Sequence, residues 1–157
     1  KKTFQVVYDL IHASKLDFTS LYNYLYERSI DEIRFQGYLA MNMKVTENGL
    51  GYLVIPNDII KEYHVDLATP ANLINSFNFI REVIVWTFIT EDVKNGVYKV
   101  SIRSHGPIIN EVASKHHGGG HKYASGARIT SEEEIEEFIR DLDQLCEEYR
   151  RASISNI

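Results

Sequence analysis

The stretch Lys115-His116-His117-Gly118-Gly119-Gly120-His121-Lys122-Tyr123-Ala124-Ser125-Gly126-Ala127 is the part of this chain least like ordinary core or surface. Three successive glycines let a backbone pass where any Cβ would collide, and leave N–H groups free to point at an anion. Around those amides, His116, His117, His121, Lys115 and Lys122 supply hydrogen-bond donors that can carry positive charge, which is what a phosphate requires. The stretch reads as a phosphate-binding loop. Arg103, one strand earlier, adds a planar fork matched to phosphate oxygens. The plainer alternatives are a glycine loop that merely turns the chain and an arginine in a surface ion pair. A nucleotide-binding P-loop does not fit, because its lysine follows Gly and precedes Ser or Thr, whereas Lys122 follows His121 and precedes Tyr123. The three histidines would need a further ligand to hold a metal, and none is fixed nearby in sequence. Tyr123 is a candidate for stacking on a base.

Charge is distributed to match. The chain is formally −5, which argues against a broadly basic nucleic-acid surface. Between Lys99 and Arg128, however, five Lys/Arg face one acid, Glu111. From Glu132 to Glu148 nine acids accompany a single Arg140. A small basic site on an acidic body suits a short anionic ligand better than a long duplex.

At 157 residues, 44% hydrophobic and 25% charged, the composition is that of one globular domain with a core of its own, plus an appended piece. The single cysteine, Cys146, excludes an internal disulfide and a cysteine-rich zinc site and makes a reducing, cytoplasmic compartment the expectation. No apolar run reaches membrane-spanning length and no signal-peptide core is present. The start Lys1-Lys2-Thr3, without Met, reads as a fragment of a longer protein.

These residues must be positioned by the elements around them. Phe4, Val7, Tyr8 and Ile11 recur at helical spacing, and Thr19 can cap a second helix carrying Leu21, Tyr22, Leu25 and Tyr26. With Ala13 to Phe18 between them the two make an αα-hairpin whose apolar faces need a partner. Ile33 to Val45 reads as a long strand, turned by Thr46 to Leu50 (with Asn48-Gly49) into a second strand over Gly51 to Ile55. Asn57 or Asp58 can cap a short helix, and Thr69 can cap another from Pro70 through Leu73, Ile74, Phe77 and Ile80. Val83 to Thr90 is apolar on both faces, as a central strand is, and Val97 to Ser104 alternates. Ile108 to Lys115 is a short helix, His121 to Ser125 one helical turn with its amides aimed at the glycines, and Ala127 to Ile129 a strand. Thr130 or Ser131 caps a last helix whose stripe is Ile135, Phe138, Ile139, Leu142, Leu145, Cys146 and Tyr149. The order of elements gives an α/β fold: a mixed β-sheet flanked by helices, with an N-terminal helical extension.

Ser101-Ile102-Arg103-Ser104, Gly106, Asn110, Val112-Ala113, Gly118-Gly119-Gly120-His121 and Ala124-Ser125-Gly126-Ala127 together resemble the DHH-associated C-terminal domain of DHH-family phosphoesterases. The similarity runs over about residues 33 to 150 and is nearest to the bacterial oligoribonuclease and 3′-phosphoadenosine 5′-phosphate phosphatase branch. The resemblance implies a two-domain hydrolase in which an N-terminal domain holds two manganese ions and the C-terminal domain holds the substrate. No Asp-His-His motif is present here, so residues 1–30 are expected to be the helical end of that catalytic domain and its linker, and 31–157 the substrate-binding domain. Carried over by position, the resemblance implies that Arg103 grips substrate, that the amides of Gly118, Gly119 and Gly120 hold a phosphate, and that His121 donates to it. It also implies substrate contacts at Ser104, Asn110 and Ser125. Where other members have a fourth glycine, this chain has His117.

The expected partners are a short single-stranded RNA or a nucleoside bisphosphate and the catalytic domain in cis, with no membrane. No catalytic residue and no metal ligand are expected in this chain. Monomer and homodimer both stay open. A non-catalytic single-strand nucleic-acid-binding module and a dimerisation module with a structural glycine loop are the competing readings.

Overall fold

The computed structural model describes residues 2–14 and 17–154. The chain divides into two compact units, residues 1–30 and 31–157. The first holds α1 (Lys2–Ser14) and α2 (Phe18–Tyr26). Asp17, not Thr19, is the N-cap of α2. Its carboxylate accepts from the Thr19 and Ser20 amides at 3.1 and 3.3 Å and from the Ser20 hydroxyl at 2.6 Å, bonds that hold its pKa below the ordinary value. Of the connection expected over 13–18, residues 15 and 16 lie outside the described residues. α1 buries none of its side chains, and Phe4, Leu10 and Tyr24 are exposed.

The second unit opens with a correction. The strand expected over Ile33 to Val45 is α3 (Ile30–Asn42), followed by a two-residue β1 (Lys44–Val45). Phe35 and Leu39, four apart, are fully buried, whereas Ile33 and Met41, which a strand would have placed on the face of Phe35, are exposed. The buried period is therefore that of a helix, begun by Asp31 and Glu32 in its first turn. Asn48-Gly49 makes the expected hairpin turn, with Gly49 at φ +93°, into β2 (Leu50–Ile55).

From β2 the chain crosses over through α4 (Asn57–Glu62), α5 (Thr69–Leu73) and a 3₁₀ turn (Ile74–Phe77) to β3 (Val85–Asp92), which lies parallel to β2. Neither short helix has the side-chain cap expected. Pro56 and Ala68 occupy the cap positions, and Asn57 instead donates its amide to the Glu91 carboxylate at 2.8 Å. The helix expected from Pro70 to Ile80 tightens after Leu73 into the 3₁₀ turn, which keeps Leu73, Ile74 and Phe77 all buried.

β3 is central and buried on both faces, as its sequence predicts. It pairs antiparallel with β4 (Val97–Ser104). After α6 (Asn110–Lys115) come β5 (Gly119–His121), β6 (Ala124–Ile129) and the long α7 (Glu132–Ile154). The sheet order is β1-β2-β3-β4-β6-β5, mixed in direction. At the start of α7, Ser131 Oγ accepts from the Glu134 amide at 3.2 Å while the Glu134 carboxylate accepts from the Thr130 amide at 2.9 Å, a reciprocal cap.

Two cores lie on opposite faces of the sheet. On one, Val100, Ile102, Ala127 and Ile129 pack under Val112, Phe138, Leu142 and Cys146 of α6 and α7. On the other, Leu53, Ile55, Trp86 and Phe88 pack under Phe35, Leu39, Ile74 and Phe77. Burying each of these large side chains is worth about 1.5–3 kcal/mol, so both layers are needed to hold β2 and β3. Tyr149, expected in the α7 stripe, is exposed and lies against Gly106, where a Cβ would strike its ring. The second core stops at β3. Its members come from α3, β2, α4, α5, the 3₁₀ turn, Val83 just before β3, and β3, with none from β4, β5 or β6.

Candidate functional site

Among the described residues of the second unit, that asymmetry leaves one face of β4, β6 and β5 without an α-helix of that unit packed on it, and strand alternation decides what stands there. Arg103 is paired across from Trp86 on one side and Ala124 on the other, and Ala124 is paired with His121. The next row is Phe88, Ser101, Gly126 and Gly119; the third is Thr90, Lys99 and Arg128. Trp86 and Phe88 belong to the covered half. The open half is therefore a floor of Ser101, Ala124, Gly126 and Gly119 with basic side chains at both ends.

The glycine run is not the loop expected. Gly119 and Gly120 are in edge strand β5, and His121 to Ser125 turns as a β-hairpin rather than a helix. The reason is pairing: each of Gly119, Gly120 and His121 has a partner on β6, which satisfies backbone groups that one isolated helical turn would leave open. The three glycines have different duties. A Cβ on Gly118 would enter the backbone of Gly126 and Ala127, and the Gly118 amide is spent on the Ala113 carbonyl at 2.9 Å. Gly120 has φ +141°, and a Cβ there would lie 2.8 Å from the Ala124 carbonyl oxygen. A Cβ on Gly119 would meet nothing within 4 Å. Only Gly119 is required by nothing in the fold, and it is the one on the open floor.

Arg103 is half-buried at the seam between covered and open halves. Its Nε donates to Asn75 Oδ1 at 3.0 Å and Nη1 to the Ile102 carbonyl at 2.9 Å. Burial pulls its pKa below the ordinary arginine value. Beside it, His105 meets Trp86 with the ring planes tilted by 41° and centroids 4.9 Å apart, and shares a 2.7 Å hydrogen bond with the Asn78 carbonyl. His121 and Lys122 are exposed.

The remaining candidates separate. The Ser104 hydroxyl donates to the Pro107 carbonyl at 2.6 Å and accepts from the Gly106 amide at 3.1 Å. The buried Ser125 hydroxyl donates to the His121 carbonyl at 2.8 Å. Both are occupied in holding the loop and hairpin. Asn110, at the start of α6, has a buried Oδ1 with no partner among the described residues, an acceptor that no ligand donor reaches without a local shift. His116 does not surround the glycine amides as expected. It is 4% exposed, with Nδ1 3.5 Å from Glu134 and Nε2 3.3 Å from Asp141, and its ring edge meets Phe138. It ties the end of α6 to α7. His117 is exposed at φ +56°, a backbone state that glycine adopts freely, which accounts for the fourth glycine of the resemblance. Among the described residues no three His, Cys, Asp or Glu side chains converge as a metal site, so His116, His117 and His121 do not fit as ligands of one ion.

Asn75 and Ser101 are not among the site residues read from sequence, and Lys99 and Arg128 enter there only as charges of the basic segment. Counting back from Arg103 in steps of two along an alternating strand reaches Ser101 and Lys99, so that signal was present; nothing local announces Asn75.

Residues 57–148 match the family model described as the DHHA1 domain. The chain belongs to the DHHA1 family. The bifunctional oligoribonuclease and PAP phosphatase NrnA of Bacillus subtilis is 32% identical over 131 residues, 83% of this chain and 41% of that protein. The protein of the same name from Mycoplasma pneumoniae is 30% identical over 132 residues, 84% of this chain and 40% of that one. The chain thus spans under half the length of these curated relatives. The crystal structure of an exopolyphosphatase-related protein from Bacteroides fragilis shares the fold, with TM-score 0.78 and 23% identity over 97% of this chain and 45% of that one. The DHHA1 match includes Arg103, the glycine strand and His121.

Proposed function

We propose that this DHHA1 chain is the substrate-binding part of a metal-dependent phosphoesterase that hydrolyses short RNA oligonucleotides and 3′-phosphoadenosine 5′-phosphate, and that it binds and orients substrate without breaking bonds. The observation that carries the reading is Arg103, held by Asn75 with its fork at the margin of a floor that has no side chain at Gly119 and Gly126. A terminal phosphate seated there takes charge-assisted bonds from Arg103 and His121, each stronger than a neutral pair. The bare floor beside them accommodates sugar and base. Fixing the phosphate orients the scissile bond, a contribution to positioning. The bond-breaking chemistry, and the two manganese ions the resemblance implies for it, are assigned to residues outside this chain. Residues 1–30 are assigned to the end of that catalytic part. The activities named for the curated relatives support the substrate class. A cytoplasmic location goes with such substrates, and among the described residues no helix is long and apolar enough to cross a membrane.

The test is calorimetric titration of the 157-residue chain with 3′-phosphoadenosine 5′-phosphate and with a dinucleotide, with and without manganese, repeated on Arg103→Gln and His121→Ala. Metal-independent binding, weakened at least tenfold by Arg103→Gln, is expected. Metal-dependent hydrolysis by this chain, or unchanged binding in both variants, would overturn the reading.

A further inference from the structure

The far end of the open floor has its own basic cluster. Lys99, His117, Gly118, Gly126 and Arg128 line a shallow depression of about 290 Å³, and no carboxylate is among the residues lining it. In a chain of formal charge −5, that is a marked local departure. Arg128 follows directly from the register: it is paired with Lys99, and extending the β5–β6 pairing past Gly119 and Gly126 brings His117 beside it. The Arg128 guanidinium is exposed and makes no hydrogen bond or ion pair among the described residues. α7 packs on the opposite face of the sheet, over Val100, Ile102, Ala127 and Ile129, so Arg128 stands on the open side with Lys99. Lys99 makes a 2.8 Å ion pair with the buried Asp92 and still has a half-exposed side chain, so it is fixed at the edge of the depression.

Lys99 lies four residues from Arg103 along β4, about 13 Å at strand rise. That separation exceeds the reach between two phosphates on one ribose and suits phosphates further along an oligonucleotide. We propose that Arg128, with Lys99 and His117, forms a second phosphate subsite, which engages an internucleotide phosphate of a short single-stranded RNA whose terminal phosphate is held at Arg103 and His121. This rests on the reading of the Arg103 end as the first phosphate site. It adds that the floor selects oligonucleotides over nucleoside bisphosphates, because only the former reach both ends.

The experiment measures the affinity of the 157-residue chain for 5′-phosphorylated triadenylate and for 3′-phosphoadenosine 5′-phosphate over a range of salt, in wild type, Arg128→Gln and His117→Gly. Arg128 is exposed and His117 already has a glycine-like backbone, so both variants keep the thermal midpoint. Expected are a roughly tenfold weaker trinucleotide complex for Arg128→Gln, a salt slope lower by about 0.7, and unchanged affinity for the bisphosphate. Unchanged trinucleotide affinity, or equal losses for both ligands, would overturn the second subsite. Arg103→Gln serves as the separate control: if it leaves bisphosphate binding intact, the first-site reading fails, whatever Arg128 does.

Discussion

Asn75 Oδ1 accepts a 3.0 Å hydrogen bond from Arg103 Nε, linking the 3₁₀ turn after α5 to the fourth strand. The bond fixes which edge of the guanidinium faces the protein. With Nη1 also turned to the Ile102 carbonyl, Nη2 is left for a ligand. Leu73, Ile74 and Phe77 anchor the turn in the core, and Asn75, between them, reaches the sheet.

Asn75 is therefore expected to act on ligand through Arg103. In Asn75→Ala the affinity for 3′-phosphoadenosine 5′-phosphate falls several-fold, the loss of orientation being worth about 1 kcal/mol. Arg103→Lys keeps the charge but loses the fork and falls further. In the double variant Asn75→Ala with Arg103→Lys the two losses are not additive, because the partner is already gone. Titration calorimetry of the four proteins checks this; full additivity would show Asn75 to be independent of Arg103.

The glycine strand offers a cleaner separation of fold from function. Gly118→Ala drives a Cβ into the backbone of β6 and is expected to cost more than about 2 kcal/mol. Gly120→Ala, strained at φ +141°, costs about 1–3 kcal/mol. Gly119→Val meets no neighbour within 4 Å of its Cβ and is expected to keep the melting temperature while abolishing ligand binding by filling the floor. Thermal melts and titrations on the three variants decide it. A Gly119→Val protein that binds normally would mean that ligand does not lie on this face.

Much of this arrangement was legible in the sequence, and the part that was not has a physical reason. A central strand, expected over Val83 to Thr90 and found at Val85–Asp92, the alternating Val97–Ser104, the Asn48-Gly49 hairpin and the amphipathic last helix follow from local pattern alone. Ile33 to Val45 misleads because Ile33, Phe35 and Met41 satisfy a period of two as readily as Phe35 and Leu39 satisfy a helix; burial decides, and burial is tertiary. His121 to Ser125 fails for the same reason, since a strand of three residues is specified by its partner rather than by its own composition. Of the site, Arg103, the glycines and His121 could be read from type and spacing. Asn75 could not, and Arg128 shows in the sequence only as one charge of a basic segment, because the place of each depends on how the second unit's helices cover the sheet face. His116 shows the converse: its residue type suggests a ligand-binding group, but its buried contacts tie it to α7.

Asp92 links the site to stability at acid pH. It is 2% exposed, and hydrogen bonds from Lys99 and Asn95 hold its pKa below the ordinary 3.8. A carboxyl depressed on folding contributes stability that is present above the unfolded pKa and lost as pH falls through the folded value. Wild-type stability is therefore expected to decline below about pH 4, and Asp92→Asn to be less stable at neutral pH with a flatter acid limb. Urea titrations from pH 2 to 7 test this; parallel curves for the two proteins would remove Asp92 from the acid transition.

The one cysteine gives a last measurement, on the opposite core. Cys146 is fully buried against Leu142 and Phe138, and burial, with the Asp143 charge adding to it, pushes its thiol up to about 12. Because the thiolate is the reactive species, the native protein is expected to resist iodoacetamide at pH 8 and to react fully in denaturant. The labelling rate then reports the opening of α7 from the sheet. That opening would also release His116 and, through the Arg128 amide bond to the His116 carbonyl at 3.2 Å, loosen the glycine hairpin. A ligand that holds the hairpin from the open face should therefore slow labelling of a cysteine on the other side of the sheet, by a factor that follows its saturation. Protection by 3′-phosphoadenosine 5′-phosphate in wild type and none in Arg103→Gln is the expected result. Rapid native labelling at pH 8 without ligand would mean that α7 is not closed over the sheet.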